Sequence, residues 1–422
     1  MLVESVATLS QTIRELGLLE AERQREFDEL SRKRTETKSL AKDMIRRDWI
    51  TIWQAQKLLK GRGRELILGS YLLLEQLGEG GMGRVYKARH RLMSRTVALK
   101  VIRKERLAHP DAVRRFHREI QAAAQLSHPN VVLAYDADQL GDVHFFAMEY
   151  VEGLDLGRIV KERGPLSVAD ACDYSRQAAL GLQHAHERGL VHRDIKPSNL
   201  LLTVSQAEIR RAALGGIISL DLGGETRGVI KILDMGLARV AEPPAGEDPS
   251  RITHEGLVVG TPDFLAPEQA RNASIVDIRA DLYSLGCTLF FTLTGQVPFP
   301  GGTPTEKLLK HSVDPTPDVR SLRPEVPANV AALLAKMMAK KPDDRYQTPV
   351  EVANAIQGIA ANGWRPAPTA PADPFADSVF NAPIPIINRP IARQSWLTIG
   401  LIAGAALVLV VILGLLLNML LK

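Results

Sequence analysis

The chain has 422 residues, of which 45% are hydrophobic and 24% are charged, and its formal net charge is +5. This mild charge is spread along the chain without a basic stripe interleaved with aromatic residues, so nucleic-acid binding is not indicated. The two cysteines, Cys172 and Cys287, lie far apart without metal-ligand spacing, which argues against a zinc site or a disulfide framework and fits a reducing compartment.

The first 69 residues are rich in charge and predict a separate helical segment. Apolar residues recur there at helical spacing, and residues 45–59 predict a second helix. The apolar positions of the first helix are Leu9, Ile13, Leu16 and Leu19. No apolar core follows a basic N-terminal stretch, so a secretory signal is not expected. The segment is interpreted either as a docking or self-association module or as a linker without a role of its own.

A glycine-rich motif with G-x-G-x-x-G-x-V spacing comes next. Its residues are Leu77, Gly78, Gly80, Gly83 and Val85. Glycine allows backbone N–H groups to approach a triphosphate closely, because no side chain holds them away. The flanking apolar runs predict strand–turn–strand, whereas a dinucleotide-binding motif would open a helix. A plain hairpin turn is the alternative.

Lys100 ends an apolar run, which predicts a buried strand that presents an ammonium group to phosphates. Its candidate partner is Glu119, on a helix predicted over residues 111–126 from a proline–aspartate start signal. Taken singly, the lysine would be a surface residue at a strand end and the glutamate a solvated one. The motifs that follow in the sequence favour the interpretation of Lys100 and Glu119 as a functional pair.

Residues 191–199, Val-His-Arg-Asp-Ile-Lys-Pro-Ser-Asn, are the most informative stretch. They place a potential base, Asp194, just before a cation, Lys196, and a metal-binding amide, Asn199. Phosphoryl transfer from a nucleotide to a hydroxyl needs these functions close together. Asp234 follows an apolar strand and precedes a glycine, where a second metal ligand is expected.

Residues 260–268, Gly-Thr-Pro-Asp-Phe-Leu-Ala-Pro-Glu, and residues 281–286 complete the series of motifs. In this order the motifs resemble the eukaryotic-like serine/threonine protein kinases of bacteria, of the membrane-anchored type, over roughly residues 71–360. The resemblance implies an α+β, two-lobe protein kinase fold. The small lobe (about 71–151) would hold antiparallel strands and one helix, and the large lobe (about 152–360) would be mainly helical.

The resemblance also implies a binding site for ATP and Mg²⁺ in the cleft between the lobes. The nucleotide would contact Leu77, Gly78, Gly80, Gly83, Val85, Ala98, Lys100, Glu119, Met148, Glu149 and Val151. Within this set the glycines would roof the phosphates, and Lys100 would hold the inner phosphates and pair with Glu119. Met148 would be the gatekeeper, beside a hinge whose backbone meets the adenine edge.

The implied catalytic residues are Asp194, which would accept or orient the hydroxyl proton of the substrate, and Lys196, which would contact the transferred phosphoryl group. Asn199 and Asp234 would bind magnesium. Lys196 in the Asp-x-Lys-Pro-x-Asn pattern is typical of serine/threonine kinases, with dual specificity left open. The partners would be protein substrates and a second copy of the chain through self-association and autophosphorylation. A pseudokinase scaffold and a small-molecule kinase are the rival hypotheses.

Four further features of the large lobe are named by the resemblance. Glu268 and Arg345 would form a structural ion pair. Met235 replaces a phenylalanine that is common in the family, and an insertion of about twenty residues within 203–228 is either a surface loop or a docking element. Ser250 and Thr253 are either phosphorylation sites that would pair with Arg193 or ordinary loop residues. Thr261 is interpreted as a substrate-positioning residue.

The C-terminal part predicts a membrane anchor. Residues 364–392 are rich in proline and alanine and predict an extended linker. Residues 397–421 are almost continuously apolar and long enough to cross a bilayer, with a buried core helix as the alternative. Arg389 and Arg393 precede this span, which predicts a cytoplasmic kinase domain on a single-pass anchor in the cell membrane. Only Lys422 follows, so no external sensor domain is expected.

Overall fold

The computed structural model describes residues 5–203, 228–235, 262–271 and 276–361, all within one compact unit of the chain. Several predicted features lie outside these ranges: most of the insertion, the linker, the apolar span 397–421, and Ser250, Thr253 and Thr261. Among the helices of the described ranges, none combines the length and the apolar character needed to cross a membrane.

The described part of the small lobe contains an antiparallel six-stranded sheet with the strand order β1-β2-β3-β4-β6-β5. Its strands are β1 (Ile67–Leu68), β2 (Tyr71–Glu79), β3 (Gly83–His90), β4 (Thr96–Ile102), β5 (Ala134–Leu140) and β6 (Val143–Glu149). The glycine-rich motif connects β2 to β3, as the strand–turn–strand prediction requires. Strand β4 is buried along most of its length because both faces of the sheet are covered there.

Helix α5 (Pro110–Ala123) is the one long helix that packs on the inner side of this sheet among the described residues. Proline occupies its first turn, where a missing N–H costs nothing. Phe116 and Ile120 are buried against the sheet, and Glu119 is buried with them. The helix predicted over residues 111–126 is therefore confirmed, with an earlier end.

The N-terminal residues differ from their prediction in two ways. Residues 5–59 form four helices: α1 (Val6–Glu15), α2 (Ala21–Arg32), α3 (Thr37–Arg46) and α4 (Ile52–Leu59). The helix predicted over 45–59 is wrong, because Asp48 adopts a left-handed conformation with φ of 52° and Thr51 caps a new helix. The segment is also not separate from the small lobe. Its apolar core includes Leu66, which directly precedes the first strand of the sheet, and Leu72, which lies in the second strand.

The described part of the large lobe is mainly helical, as expected. Its helices are α6 (Leu156–Arg163), α7 (Val168–His186), α8 (Pro267–Arg271), α9 (Ile278–Thr294), α10 (Pro304–Val313), α11 (Val319–Leu322), α12 (Ala328–Met337) and α13 (Pro349–Ala361). Helix α9 is buried on all sides and therefore carries apolar residues around its whole circumference. A small antiparallel sheet, β7 (Gly153–Asp155), β8 (Leu200–Thr203) and β9 (Ile230–Ile232), contributes buried residues to the same core.

Candidate active site

The predicted base lies in a tight cluster with its two sequence neighbours. Lys196 Nζ is 2.7 Å from Asp194 Oδ2. Asn199 Nδ2 donates to the backbone oxygen of Asp194 at 2.8 Å and to its Oδ2 at 3.1 Å. The turn Pro197–Asn199 is a short 3-10 helix, and it brings Asn199 back towards Asp194. One carboxylate oxygen thus receives both an ammonium and an amide donor.

The backbone beside Asp194 is held by a residue of the central helix α9. Asp281 accepts from the backbone N–H of His192 through Oδ2 and from that of Arg193 through Oδ1, each at 2.7 Å. Arg193 has a φ of 67°, a left-handed conformation that is strained for a residue with a side chain. Burial raises the pKa of Asp281, against the opposing effect of His192 and the two backbone donors. The central helix therefore stabilises the strained turn from which Asp194 projects.

Asp234 comes from a different segment and meets the strand lysine. Lys100 Nζ lies 2.7 Å from Asp234 Oδ1, and the lysine side chain is only 6% exposed. Burial alone would raise the pKa of Asp234, but the charge and hydrogen bond of Lys100 outweigh it, so the pKa is lowered. The carboxylate is accordingly ionised at neutral pH.

Lys100 thus has the Asp234 carboxylate as a close partner, and a buried cation is stabilised by such an anion. The pair of Lys100 with Glu119 stays a prediction. Glu119 is itself 7% exposed, so helix α5 does carry its carboxylate into the protein interior, as predicted.

Backbone contacts join the two groups of residues into one site. The backbone N–H of Leu233, which precedes Asp234, donates to the oxygen of Asn199 at 2.9 Å. A ring nitrogen of His192 lies 2.7 Å from the oxygen of Leu233. Asp234 has a φ of 57°, which turns the chain directly after these contacts. Residues 194, 196, 199, 234 and 100 are therefore brought together, although they come from three stretches of the sequence.

An apolar slot adjoins this polar cluster. Ala98 and Met148 are buried, face each other across strands β4 and β6, and belong to one apolar cluster. Val85 and Val151 are partly buried against the same cluster. A flat apolar base would fit such a slot, whose edge is formed by the backbone after Glu149. Leu77, in β2, is 44% exposed.

The side chain of Glu149 has a role that the sequence reasoning missed. Both of its carboxylate oxygens lie 2.8 Å from Lys231 Nζ, and Lys231 is in strand β9. The pair connects the segment between the lobes to the strand that precedes Asp234. Lys231 begins the stretch that leads to Asp234, but the sequence does not indicate that its partner is Glu149, 82 positions away.

The three motif glycines have different surroundings. A Cβ added to Gly78 or Gly80 would meet no atom within 4 Å, so both face open space. A Cβ added to Gly83 would lie 1.9 Å from the backbone oxygen of Val101. Gly83 is therefore required by the close pairing of β3 with β4, whereas Gly78 and Gly80 leave room for a ligand above the strand pair.

The residues present fit a magnesium–nucleotide ligand. Asp234 supplies carboxylate oxygen, and the amide nitrogen of Asn199 is engaged with Asp194, so its amide oxygen is the atom that would bind a cation. Hard oxygen ligands of this kind suit Mg²⁺. Lys100 and Lys196 supply fixed positive charge for phosphates, and the open space at Gly78 and Gly80 would admit them.

The large lobe contains the expected structural ion pair. Arg345 Nη1 and Nη2 lie 2.6 and 2.8 Å from the two carboxylate oxygens of Glu268, and the arginine side chain is fully buried. Gln269, the next residue, donates to the backbone oxygen of Arg193 at 2.8 Å. Met235, the unusual residue after Asp234, is buried in the large-lobe core, where an adaptable apolar side chain packs well.

Comparison with known proteins assigns most of the chain to a protein family. The family model "Protein kinase domain" matches residues 71–356. The chain is 36% identical over 282 residues to the serine/threonine-protein kinase PrkC of Bacillus subtilis, covering 67% of this chain and 39% of that protein. It is 36% identical over 288 residues to the serine/threonine-protein kinase PknB of Mycobacterium tuberculosis, covering 67% and 41%. The chain thus spans about two fifths of the length of these curated relatives.

A solved structure is similar to the same part of the chain. The PknI kinase domain of Mycobacterium tuberculosis superposes with a TM-score of 0.51 at 26% identity, over 69% of this chain and 97% of that one. The matched residues include the glycine-rich strands, the Asp194 cluster and Asp234. The chain therefore belongs to the protein kinase family, with bacterial serine/threonine-protein kinases among its relatives.

Proposed function

We propose that the protein is an ATP-dependent serine/threonine protein kinase that transfers the γ-phosphoryl group of ATP to hydroxyls of proteins, including its own. One observation carries the proposal: Asp194 contacts Lys196 and Asn199, and Asp234 contacts Lys100, at 2.7 to 3.1 Å, and backbone contacts of Leu233 join the two groups. The names of the relatives PrkC and PknB, both serine/threonine-protein kinases, support the choice of substrate.

Each residue then has a definite task. When bound, magnesium and ATP supply the transferable phosphoryl group and part of the positive charge that stabilises its transfer. Asp194 orients the substrate hydroxyl and accepts its proton, since its carboxylate is held by Lys196 and Asn199. Lys196 offers its ammonium to the phosphoryl oxygens, and Asn199 and Asp234 would hold the metal.

The nucleotide would lie between the glycine-rich strands and the segment after β6. Its base would occupy the slot of Val85, Ala98 and Met148, and it would meet the backbone at Glu149 and Val151. Lys100 would hold the inner phosphates. Glu119 is the proposed partner of the Lys100 ammonium in that role.

The two rival functions are less well supported. A pseudokinase scaffold would have no need of the complete set of Lys100, Asp194, Asn199 and Asp234, yet all four side chains converge. A small-molecule kinase would have no need of the segment 260–268, which in the family serves peptide substrates. Dual specificity stays open, since Lys196 favours serine and threonine without excluding tyrosine.

We also propose that residues 397–421 anchor the protein in the cell membrane, with the kinase domain on the cytoplasmic side. Support comes from the sequence: an apolar run of bilayer length, preceded by Trp396 and by arginines at 389 and 393. Fractionation of cells that express the chain with and without residues 397–421 tests the proposal. Equal recovery of both forms in the soluble fraction would refute it.

The kinase proposal is tested by substituting the base. Asp194→Asn preserves size and the contact with Lys196 but removes the proton acceptor, so transfer of radiolabel from ATP to the protein and to a generic substrate should fall at least about a hundredfold. Asp170→Asn, in the first turn of helix α7, is the matched control and should retain activity. Full transfer by the Asp194 variant would contradict the assignment of Asp194 as the base. If the wild type transferred no phosphoryl group, the proposed kinase activity itself would be wrong.

A further inference from the structure

The N-terminal helices contact the strand that leads into the glycine-rich motif through two polar side chains. Helix α4 begins with a capping box, in which Thr51 Oγ1 accepts from the backbone N–H of Gln54 at 3.1 Å and Gln54 Oε1 accepts from that of Thr51 at 2.9 Å. The same two side chains also reach out of the helix. Thr51 Oγ1 donates to the oxygen of Leu74 at 2.5 Å, and Gln54 Nε2 donates to the oxygen of Leu73 at 2.8 Å.

The two acceptors lie at an irregularity of strand β2. Leu73 pairs with Ala88 and Glu75 pairs with Lys87, so Leu74 has no partner in β3 and forms a β-bulge. A bulge interrupts the ladder of hydrogen bonds and bends the strand. Helix α4 supplies donors to the two backbone oxygens at this point. Gly78, the first glycine of the motif, comes only four residues after Leu74.

The same helix also holds the partner strand. The ring of Trp53 lies 5.7 Å from that of Tyr86, which is in β3 directly after Val85. Leu72 of β2 is part of the apolar core of the N-terminal helices. Gln54 is 2% exposed, so its two hydrogen-bonded contacts are shielded from water. Both strands that carry the glycine-rich motif thus contact helix α4.

We infer that Thr51 and Gln54 are positioning residues for nucleotide binding, through which the N-terminal helices hold the base of the glycine-rich motif in place. The inference rests on the proposed kinase function and adds a part of the chain that lies outside the kinase family match at residues 71–356. The physical reason is that the backbone N–H groups of the motif bind phosphates only if the strands that end there are held at a fixed bend. Preorganised donors bind a ligand without the cost of ordering.

The test compares four variants of the full chain. Thr51→Val and Gln54→Leu each remove one donor to the bulge and keep the approximate size of the side chain. Thr51→Ser keeps the hydroxyl and should restore wild-type behaviour. Gln56→Leu, on the exposed face of the same helix, is the matched control.

Thr51→Val and Gln54→Leu each remove one hydrogen bond to the bulge and one within the capping box. We expect the KM for ATP to rise about two- to tenfold from the loss at the bulge, with kcat changed less than about twofold. A second measurement does not depend on activity. Hydrogen–deuterium exchange without nucleotide should become faster at the amides of residues 75–83 in the two variants and stay unchanged in Thr51→Ser and Gln56→Leu.

Each result has a definite meaning. Lower thermal stability with unchanged KM and unchanged exchange at residues 75–83 would show a purely structural role and overturn the inference. Equal effects of Gln56→Leu and Gln54→Leu would overturn it as well. If the wild type transferred no phosphoryl group, the proposed function would fail, while faster exchange in the two variants would still support the attachment of the motif to helix α4.

Discussion

At the scale of single residues, the position of Asp194 depends on contacts from distant parts of the chain. Lys196 and Asn199 are its sequence neighbours and contact it directly. Asp281 is 89 positions from His192 in the sequence, and it holds the backbone that precedes Asp194. A base must be held within hydrogen-bond reach of the proton it takes. We therefore expect the buried carboxylate of Asp281 to position Asp194 for the proposed reaction.

The three glycines of the motif should respond differently to alanine. Gly83→Ala places a methyl group against the oxygen of Val101, so we expect it to lower the free energy of unfolding by about 1–3 kcal/mol. Gly78→Ala meets open space, so its stability should change by less than about 0.5 kcal/mol while its affinity for ATP falls. Urea unfolding and nucleotide titration measure the two effects. Equal losses of stability in both variants would contradict this division.

At the scale of elements, helices α9 and α10 meet through a buried histidine. His311 of α10 is 1% exposed, and its Nδ1 lies 2.8 Å from the hydroxyl of Tyr283 in α9. Burial, with a smaller effect of Lys340, lowers the pKa of His311 from 6.5 to about 4. The folded protein therefore contains the neutral imidazole throughout the ordinary range of pH.

The lowered pKa of His311 determines whether the free energy of unfolding rises or falls with pH. Between pH 6.5 and about 4 the unfolded chain binds a proton at His311 and the folded chain does not, so the free energy of unfolding falls as the pH falls. The expected loss is roughly 3 kcal/mol over the whole window. His311→Gln should remove this part of the dependence in urea unfolding at about pH 7 and about pH 5. The prediction would be contradicted if the free energy of unfolding of His311→Gln changed between the two pH values as much as that of the wild type.

Helix boundaries were the least predictable elements. The apolar spacing over residues 45–59 suggested one helix, yet the chain turns at Asp48 and starts again at Thr51. Apolar periodicity continues across such a turn when both helices face one core, so the pattern does not mark the break. The capping box of Thr51 and Gln54 does mark it, through side chains that favour a helix start.

At the scale of the whole molecule, the N-terminal helices and the small lobe share an apolar core. We expect a chain that begins at residue 70 to be less stable and less soluble than the full chain, because Leu72 and Tyr86 lose their covering residues. Thermal unfolding of both forms, each purified at the same concentration, measures the difference. Identical melting temperatures would show that the helices do not stabilise the small lobe.

The family, the two-lobe fold and the chemical identity of the cleft residues followed from the sequence alone. Motifs of this kind combine rare residue types at short spacing, such as Asp194, Lys196 and Asn199, and local spacing determines what chemistry a segment offers. Their roles in nucleotide and metal binding stay predictions. Helix α5 was predictable for the same local reason, since proline and apolar spacing act within one element.

The tertiary structure alone decided which distant groups meet. It paired Lys100 with Asp234, anchored the Asp194 turn on Asp281, and placed helix α4 on the bulge of β2. A charge or donor binds the partner that packing brings nearest, and packing is a property of the whole chain that no short pattern contains.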